Sequence, residues 1–365
     1  MPYGHIERNF VRAGGAGTQF AINHTIGAGA TNYCCFLVQD VTTAGAVQAL
    51  PRAFVADVDK AATIATMTDA TAAGALQLDA LVVRAYSAID VGPVFNGNTR
   101  TVTLGSGMYN PNGHAVANDG IAEGNTIRAY RSLHRAVTFA VAGNATTDVI
   151  ITHHLNTTNV VAFVSPSSDP CDSTAVGQLS KVFIQATTVD TTTLRCVRDD
   201  AGAFGGGAVA ITFDVMILAR VAVANADAAQ RPMTMRVHRA TAGGNAGLPS
   251  DDYSGADLAQ ARAGSFTTAD SSYECLYQNV DAIAVAPGGL VLVHNLGTAT
   301  KLPTGIIALF GFSATPLTGV PYILNRATSG TTMTLAGTGA GVPVANAYVL
   351  VTRPYSVFQS EITTN

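Results

Sequence analysis

The chain has 365 residues and a formal net charge of −4, with charged residues at only 12% of positions, about half the ~25% usual for soluble domains. Its three lysines and seventeen arginines are scattered rather than grouped, which argues against the basic stripe that nucleic-acid binding requires. No apolar run approaches the ~20 residues of a membrane span, and Met1 to Phe10, carrying Glu7 and Arg8, lacks the apolar core of a signal peptide.

Tyr3 opens the first stretch of pattern. An apolar run from Phe20 ends at His24, and a strand is expected over Tyr33 to Val38. Phe54 and Thr63 follow, and a β-rich run from Leu78 to Tyr86 closes the stretch. The next segment, roughly 88–129, has a different composition. Asn96-Gly97-Asn98 before the alternating Thr99 to Leu104 predicts a hairpin, whereas Gly105 to Gly124 is mostly Gly, Asn, Pro and small residues.

Tyr130 reopens the first pattern. Strands are expected over Val149 to Thr152, which leads into His153, and over Val160 to Val164, Val182 to Ala186 and Ile211 to Leu218. Several of these are apolar at consecutive positions, as expected of strands buried on both sides or at an interface. A second long connector follows, in which Asp257 is suited to cap a short helix that runs to Arg262 and stops at Gly264. Tyr273 then begins a third stretch, with a run into His294 and strands over Ile306 to Phe310 and Ala347 to Thr352.

The three stretches share an order and a spacing. Phe54, Phe183 and Tyr322 lie 30, 30 and 28 residues beyond His24, His153 and His294, and Thr63, Thr192 and Thr331 lie nine further on. Tyr3, Tyr130 and Tyr273 precede the histidines by 21, 23 and 21 residues. Periods this long belong to domains rather than to stacked hairpins. The pattern predicts an all-β fold of three tandem antiparallel β-sandwich modules, at residues 1–87, 130–221 and 273–365. Long irregular connectors over 88–129 and 222–272 would join them.

No chemistry gathers around these markers. Each histidine belongs to a different module and follows a strand, so a structural role at the turn is expected. His153-His154 has no recurring Cys, His, Asp or Glu at ligand spacing. Gly105-Ser106-Gly107 lies in a loop rather than a strand-to-helix elbow. Asp199-Asp200 and Asp251-Asp252 sit beside turn-forming residues, where solvated turns are expected. Neither Gly205-Gly206-Gly207 nor Gly14-Gly15 is followed by the Lys-Ser/Thr of a phosphate loop. The sequons at Asn23, Asn144 and Asn156 are expected to be incidental in a Thr-rich chain without an export signal. Cys34, Cys35, Cys171, Cys196 and Cys275 do not recur at equivalent places, so five thiols are expected rather than a disulfide framework. No metal or cofactor site and no catalytic residue is assigned.

At the marker segments the pattern becomes nameable. Apolar-x-apolar-His-Asn-Leu-Gly-Thr, best kept at Val291 to Thr298 and more loosely at Ile150 to Thr157, resembles the small β-sandwich modules of tailed-bacteriophage virion proteins, especially fibres and other appendages. The first module departs most, with His24-Thr25-Ile26-Gly27. The resemblance implies a non-enzymatic structural protein on the virion exterior, assembled in the bacterial cytoplasm. A head decoration or similar symmetric part is favoured, because no fibrous shaft is written in the chain. Other virion proteins would be its partners, within a homo-oligomer for which a trimer is favoured. The alternative is a tail fibre or receptor-binding appendage, with Tyr109, Tyr253, Tyr273 and Tyr277 stacking on a host surface glycan.

Overall fold

The computed structural model describes twenty-one β-strands, residues 55–56 and most of the turns between residues 131 and 219. Among the described residues there is no helix, so the all-β expectation holds. The first six strands are β1 (Gly4–Arg12), β2 (Thr18–Asn23), β3 (Tyr33–Gln39), β4 (Ala53–Phe54), β5 (Ile64–Asp69) and β6 (Leu76–Arg84). After the short β7 (Thr101–Thr103) and β8 (Thr126–Arg128) come β9 (Arg131–Phe139), β10 (Thr146–Thr152), β11 (Val160–Pro166), β12 (Ser180–Thr187), β13 (Thr191–Arg198) and β14 (Ile211–Ala219). The rest are β15 (Met235–Arg239), β16 (Glu274–Gln278), β17 (Leu290–Val293), β18 (Ile307–Phe312), β19 (Pro321–Arg326), β20 (Thr332–Gly337) and β21 (Ala347–Thr352).

Setting aside β7, β8 and β15, the strands fall into three sets of six with one strand order. In each set the first, sixth and third strands form one antiparallel sheet and the second, fifth and fourth form another. The pairs are β1-β6-β3 with β2-β5-β4, β9-β14-β11 with β10-β13-β12, and β16-β21-β18 with β17-β20-β19. We call these the first, second and third units. Their opening strands start at the residues after Tyr3, Tyr130 and Tyr273, and their second strands end at Asn23, Thr152 and Val293, each one residue before a marker histidine.

The connectors are less irregular than their composition suggests. β7, within the alternating run Thr99 to Leu104, pairs with β8, and the hairpin expected at Asn96-Gly97-Asn98 lies outside the described residues. β15, from the second connector, joins the third unit as a parallel neighbour of β16. The helix expected at Asp257 to Arg262 lies outside the described residues.

In the second unit the two sheets enclose one core. Phe139, Val160, Ala162, Val182, Ile184, Leu194, Phe213, Val215 and Ile217 belong to it, and the rings of Phe139 and Phe213 meet edge to face with centroids 5.7 Å apart. Burying each large apolar side chain of this kind is worth about 1.5–3 kcal/mol. The first unit has the corresponding core of Ile22, Cys35, Ala53, Val55, Leu78, Ala80 and Val82.

Strand alternation sends the intervening residues to the opposite face. On the first-sixth-third sheets that face is also buried: Phe36 is 1% exposed, Leu81 2%, Phe163 0% and Met216 1%. The cover comes from the other units. β3, β11 and β18, the third strand of each set, touch one another. Each fourth strand touches the third strand of a neighbour in one rotational sense, β4 on β11, β12 on β18 and β19 on β3. Head-to-tail contacts that return to their starting point define a closed ring. The three units surround a shared centre in which Phe36, Phe163 and Phe310 hold matching register positions, opposite Leu81, Met216 and Val349.

Candidate functional site

At the centre of the ring, buried groups join one unit to another. β3 is an edge strand of its own sheet, so one row of its backbone N–H groups lacks a ladder partner and must be capped or hydrated. The second unit caps two of them: Asp214 Oδ2 accepts from the Cys35 N–H at 2.8 Å and Ser165 Oγ accepts from the Leu37 N–H at 3.0 Å. Just past β4, the Pro166 carbonyl also accepts from the Val55 N–H at 3.2 Å.

Asp214 is held for this task by a β-bulge. Along β14, Phe213 and Val215 pair with Val137 and His134, so Arg135 and Ala136 together oppose Asp214. Ala136 has φ of 46° and donates its N–H to Asp214 Oδ1 at 3.1 Å. A bulge accommodates the extra residue and re-aims its backbone. The carboxylate is fully buried and ties its own unit to the next. In the first unit Asp79 has the same setting on β6: it is 0% exposed and opposes a bulge between Glu7 and Phe10 of β1. The corresponding position of β21 is Ala347, opposite Phe312.

The third unit meets the second through a glycine instead. A Cβ on Gly311 would lie 2.2 Å from the Ala162 carbonyl oxygen and 3.4 Å from the Phe163 ring. Only a residue without a side chain lets β18 approach the β11 backbone this closely.

The marker aromatics Phe54, Phe183 and Tyr322 lie on the fourth strands, which carry contacts between units. Phe183 lies between the core residues Val182 and Ile184 and so points away from that core, yet it is only 8% exposed. It is carried by β12, the strand that touches β18. Tyr322 on β19, 5% exposed, and Phe54 on β4 hold the matching positions. His153 is buried, and its backbone N–H, rather than its ring, donates to the Asp190 carbonyl at 2.8 Å, tying the end of β10 to the turn between β12 and β13. His24 and His294 lie outside the described residues, as do Tyr3, Tyr130 and Tyr273.

The constant spacing to Thr63, Thr192 and Thr331 is not structural. Thr192 lies within β13, opposite Ile151, whereas Thr63 and Thr331 precede β5 and β20 and lie outside the described residues. The threonines that correspond by register are Thr66, Thr193 and Thr334, opposite Ala21, Ile150 and Val291. The fourth-to-fifth strand turn is shorter in the second unit, and this shifts the count by two.

Of the other sequence candidates, Asp200 and Gly206 lie in turns, while Asp199, Gly207, Gly14 and Gly15 lie outside the described residues. Asp200 accepts from the Gly202 N–H at 3.0 Å and from Arg198 Nε at 2.9 Å; the Arg198 hydrogen bond is the main cause holding its carboxyl below the usual range. Gly205 carries the carbonyl that accepts from the Gly143 N–H. Gly105-Ser106-Gly107, Asp251-Asp252, Tyr109 and Tyr253 lie outside the described residues, and Tyr277 is in β16, opposite Val349. Among the described residues no three His, Cys, Asp or Glu side chains cluster as metal ligands, and no helix is long and apolar enough to cross a membrane.

Cys34, Cys35, Cys171 and Cys196 are in thiol form. Burial pushes the Cys196 thiol up to about 12, against a smaller lowering by the Ser180 hydroxyl. On the outward face, Arg195 Nε and Nη2 each lie 2.7 Å from a carboxylate oxygen of Asp148.

No protein family, curated protein or solved structure matches the chain.

Proposed function

We propose that this chain is a non-enzymatic structural protein on the exterior of a tailed-phage virion, a head decoration or other symmetric attached part, built from three diverged tandem β-sandwich modules. The observation that carries the proposal is the ring: three units of one strand order whose third strands meet at a common centre. The buried carboxylate of Asp214 and the tight contact at Gly311 serve to fix unit against unit, an architectural task. The strand-end motif Val291 to Thr298 supports the virion assignment through its resemblance to phage appendage modules. The low charge density leaves faces suited to burial against a partner.

Gold-labelled antibody to the protein, applied to negatively stained virions of the phage that encodes it, tests the proposal. Labelling of heads at regular positions is the expected result. Purified particles that carry neither label nor the polypeptide would sink the proposal.

A further inference from the structure

The contacts among the units say how many copies of this chain a symmetric site needs. In a homotrimer, three chains supply three equivalent faces around an axis. Here one chain supplies them, because its three units already meet head to tail and bury their third strands against one another. A second copy cannot enter that ring without displacing β3, β11 or β18.

The outward sheets repeat a contact feature. The second-fifth-fourth sheet of each unit carries one row that pairs an apolar residue with a threonine: Ala21 with Thr66, Ile150 with Thr193, and Val291 with Thr334. Ile150 is 68% exposed, and Ala21 is exposed as well. Val189, at the turn that follows β12, is 48% exposed. In the first two units these sheets lie across their own cores from the shared centre, so the rows face outward.

In the first two units the neighbouring row carries no net charge. In the second unit Asp148 and Arg195 neutralise one another through two hydrogen bonds, and in the first unit the pair is Gln19 with Thr68. An uncharged partner face complements such rows, since a charged group placed against them would lose water and gain no counter-ion.

We infer that one copy of this chain fills a threefold position among three identical partner subunits, each of which lays an uncharged, apolar protein face on the outward sheet of one unit. The inference rests on the virion reading above and specifies its stoichiometry and contact surface. It replaces the homotrimer expected from the sequence with a single chain that serves as its own trimer.

The test has three parts. The purified full-length chain, weighed by native mass spectrometry and light scattering at micromolar concentration, should have the mass of one 37.4 kDa chain; a three-copy mass would overturn the inference. In purified particles, one chain is expected for every three copies of the subunit to which it cross-links, and a one-to-one ratio would overturn it even if the protein is virion-bound. Absence of the polypeptide from particles would remove the virion reading together with the docking. Finally, Ile150→Asp should leave the mass and melting temperature of the free chain unchanged and weaken its rebinding to stripped particles at least tenfold. Rebinding at the original affinity would exclude the outward row as the contact.

Discussion

The carboxylate of Asp214 and the backbone N–H of Cys35 are 2.8 Å apart and 179 residues apart in the chain, and their hydrogen bond joins the second unit to the first. The other carboxylate oxygen takes the Ala136 N–H, so one side chain satisfies two donors on two different units, that of Cys35 buried and that of Ala136 partly buried. Each donor left without a partner costs about 1–3 kcal/mol. Asp214→Ala should therefore destabilise the protein by several kcal/mol, on the order of the sum of two such losses. Asp214→Asn keeps one acceptor and should cost less. Denaturant unfolding of both variants checks the order; equal and small losses would show that Asp214 does not bear on the joint.

Gly311 supplies the complementary test at the joint between the third and second units. The obstacle to a side chain there is a backbone carbonyl, which cannot swing aside as the end of a flexible side chain can. Gly311→Ala should cost at least the ~1–3 kcal/mol typical of overpacking and should loosen the third unit from the second. Hydrogen exchange would show faster exchange in β18 and β11. Gly206 is the control: nothing lies within 4 Å of its Cβ position, so Gly206→Ala should leave both stability and exchange close to the original.

Phe183 tests whether the recurring aromatic serves its own unit or the joint. It faces away from the core that holds Val182 and Ile184. Phe183→Ala should cost about 3–5 kcal/mol, as for buried aromatics in general, with the loss concentrated at the contact between β12 and β18. Faster exchange confined to the β10-β13-β12 sheet, with β18 unchanged, would place the ring inside the second unit instead.

Strands were legible in the sequence because alternation and β-branching act over a few residues. The runs expected at Tyr33 to Val38, Val160 to Val164 and Ala347 to Thr352 all lie within observed strands. Consecutive apolar residues such as Val160 to Val164 also signalled burial on both sides, and the shared centre supplies the second side. Which strands would meet there was not legible, since a head-to-tail contact between units leaves no local periodicity. The matched Phe36, Phe163 and Phe310 could have been found by aligning the strands that follow the histidines. Asp79 and Asp214 could have been found too, because each interrupts an apolar sixth strand. Spacing misled at Thr192, where a shorter turn mimicked equivalence. Bulges are equally silent in sequence: nothing in Arg135-Ala136 marks the extra residue that aims a backbone N–H at Asp214.

Cys196 allows a prediction about pH. Its thiol, buried between the sheets of the second unit, titrates at about 12 rather than near the ordinary value of 9.0. Below the ordinary value both the folded and unfolded chains hold the proton, and the thiol adds no pH dependence. Above it the unfolded chain ionises while the folded chain does not, so folding stability falls as pH rises from about 9 toward about 12. Cys196→Val fills the site with an apolar group that cannot ionise. The variant should lose less stability than the wild type between pH 9 and pH 11 in urea unfolding, and the two should run parallel below that range. Thiol counting gives a second check. Denatured protein without reductant should react at all five cysteines, while the native protein should protect the buried Cys34, Cys35 and Cys196. Rapid labelling of Cys196 in the native state, or an alkaline stability loss that survives Cys196→Val unchanged, would show that this thiol is not sealed between the two sheets.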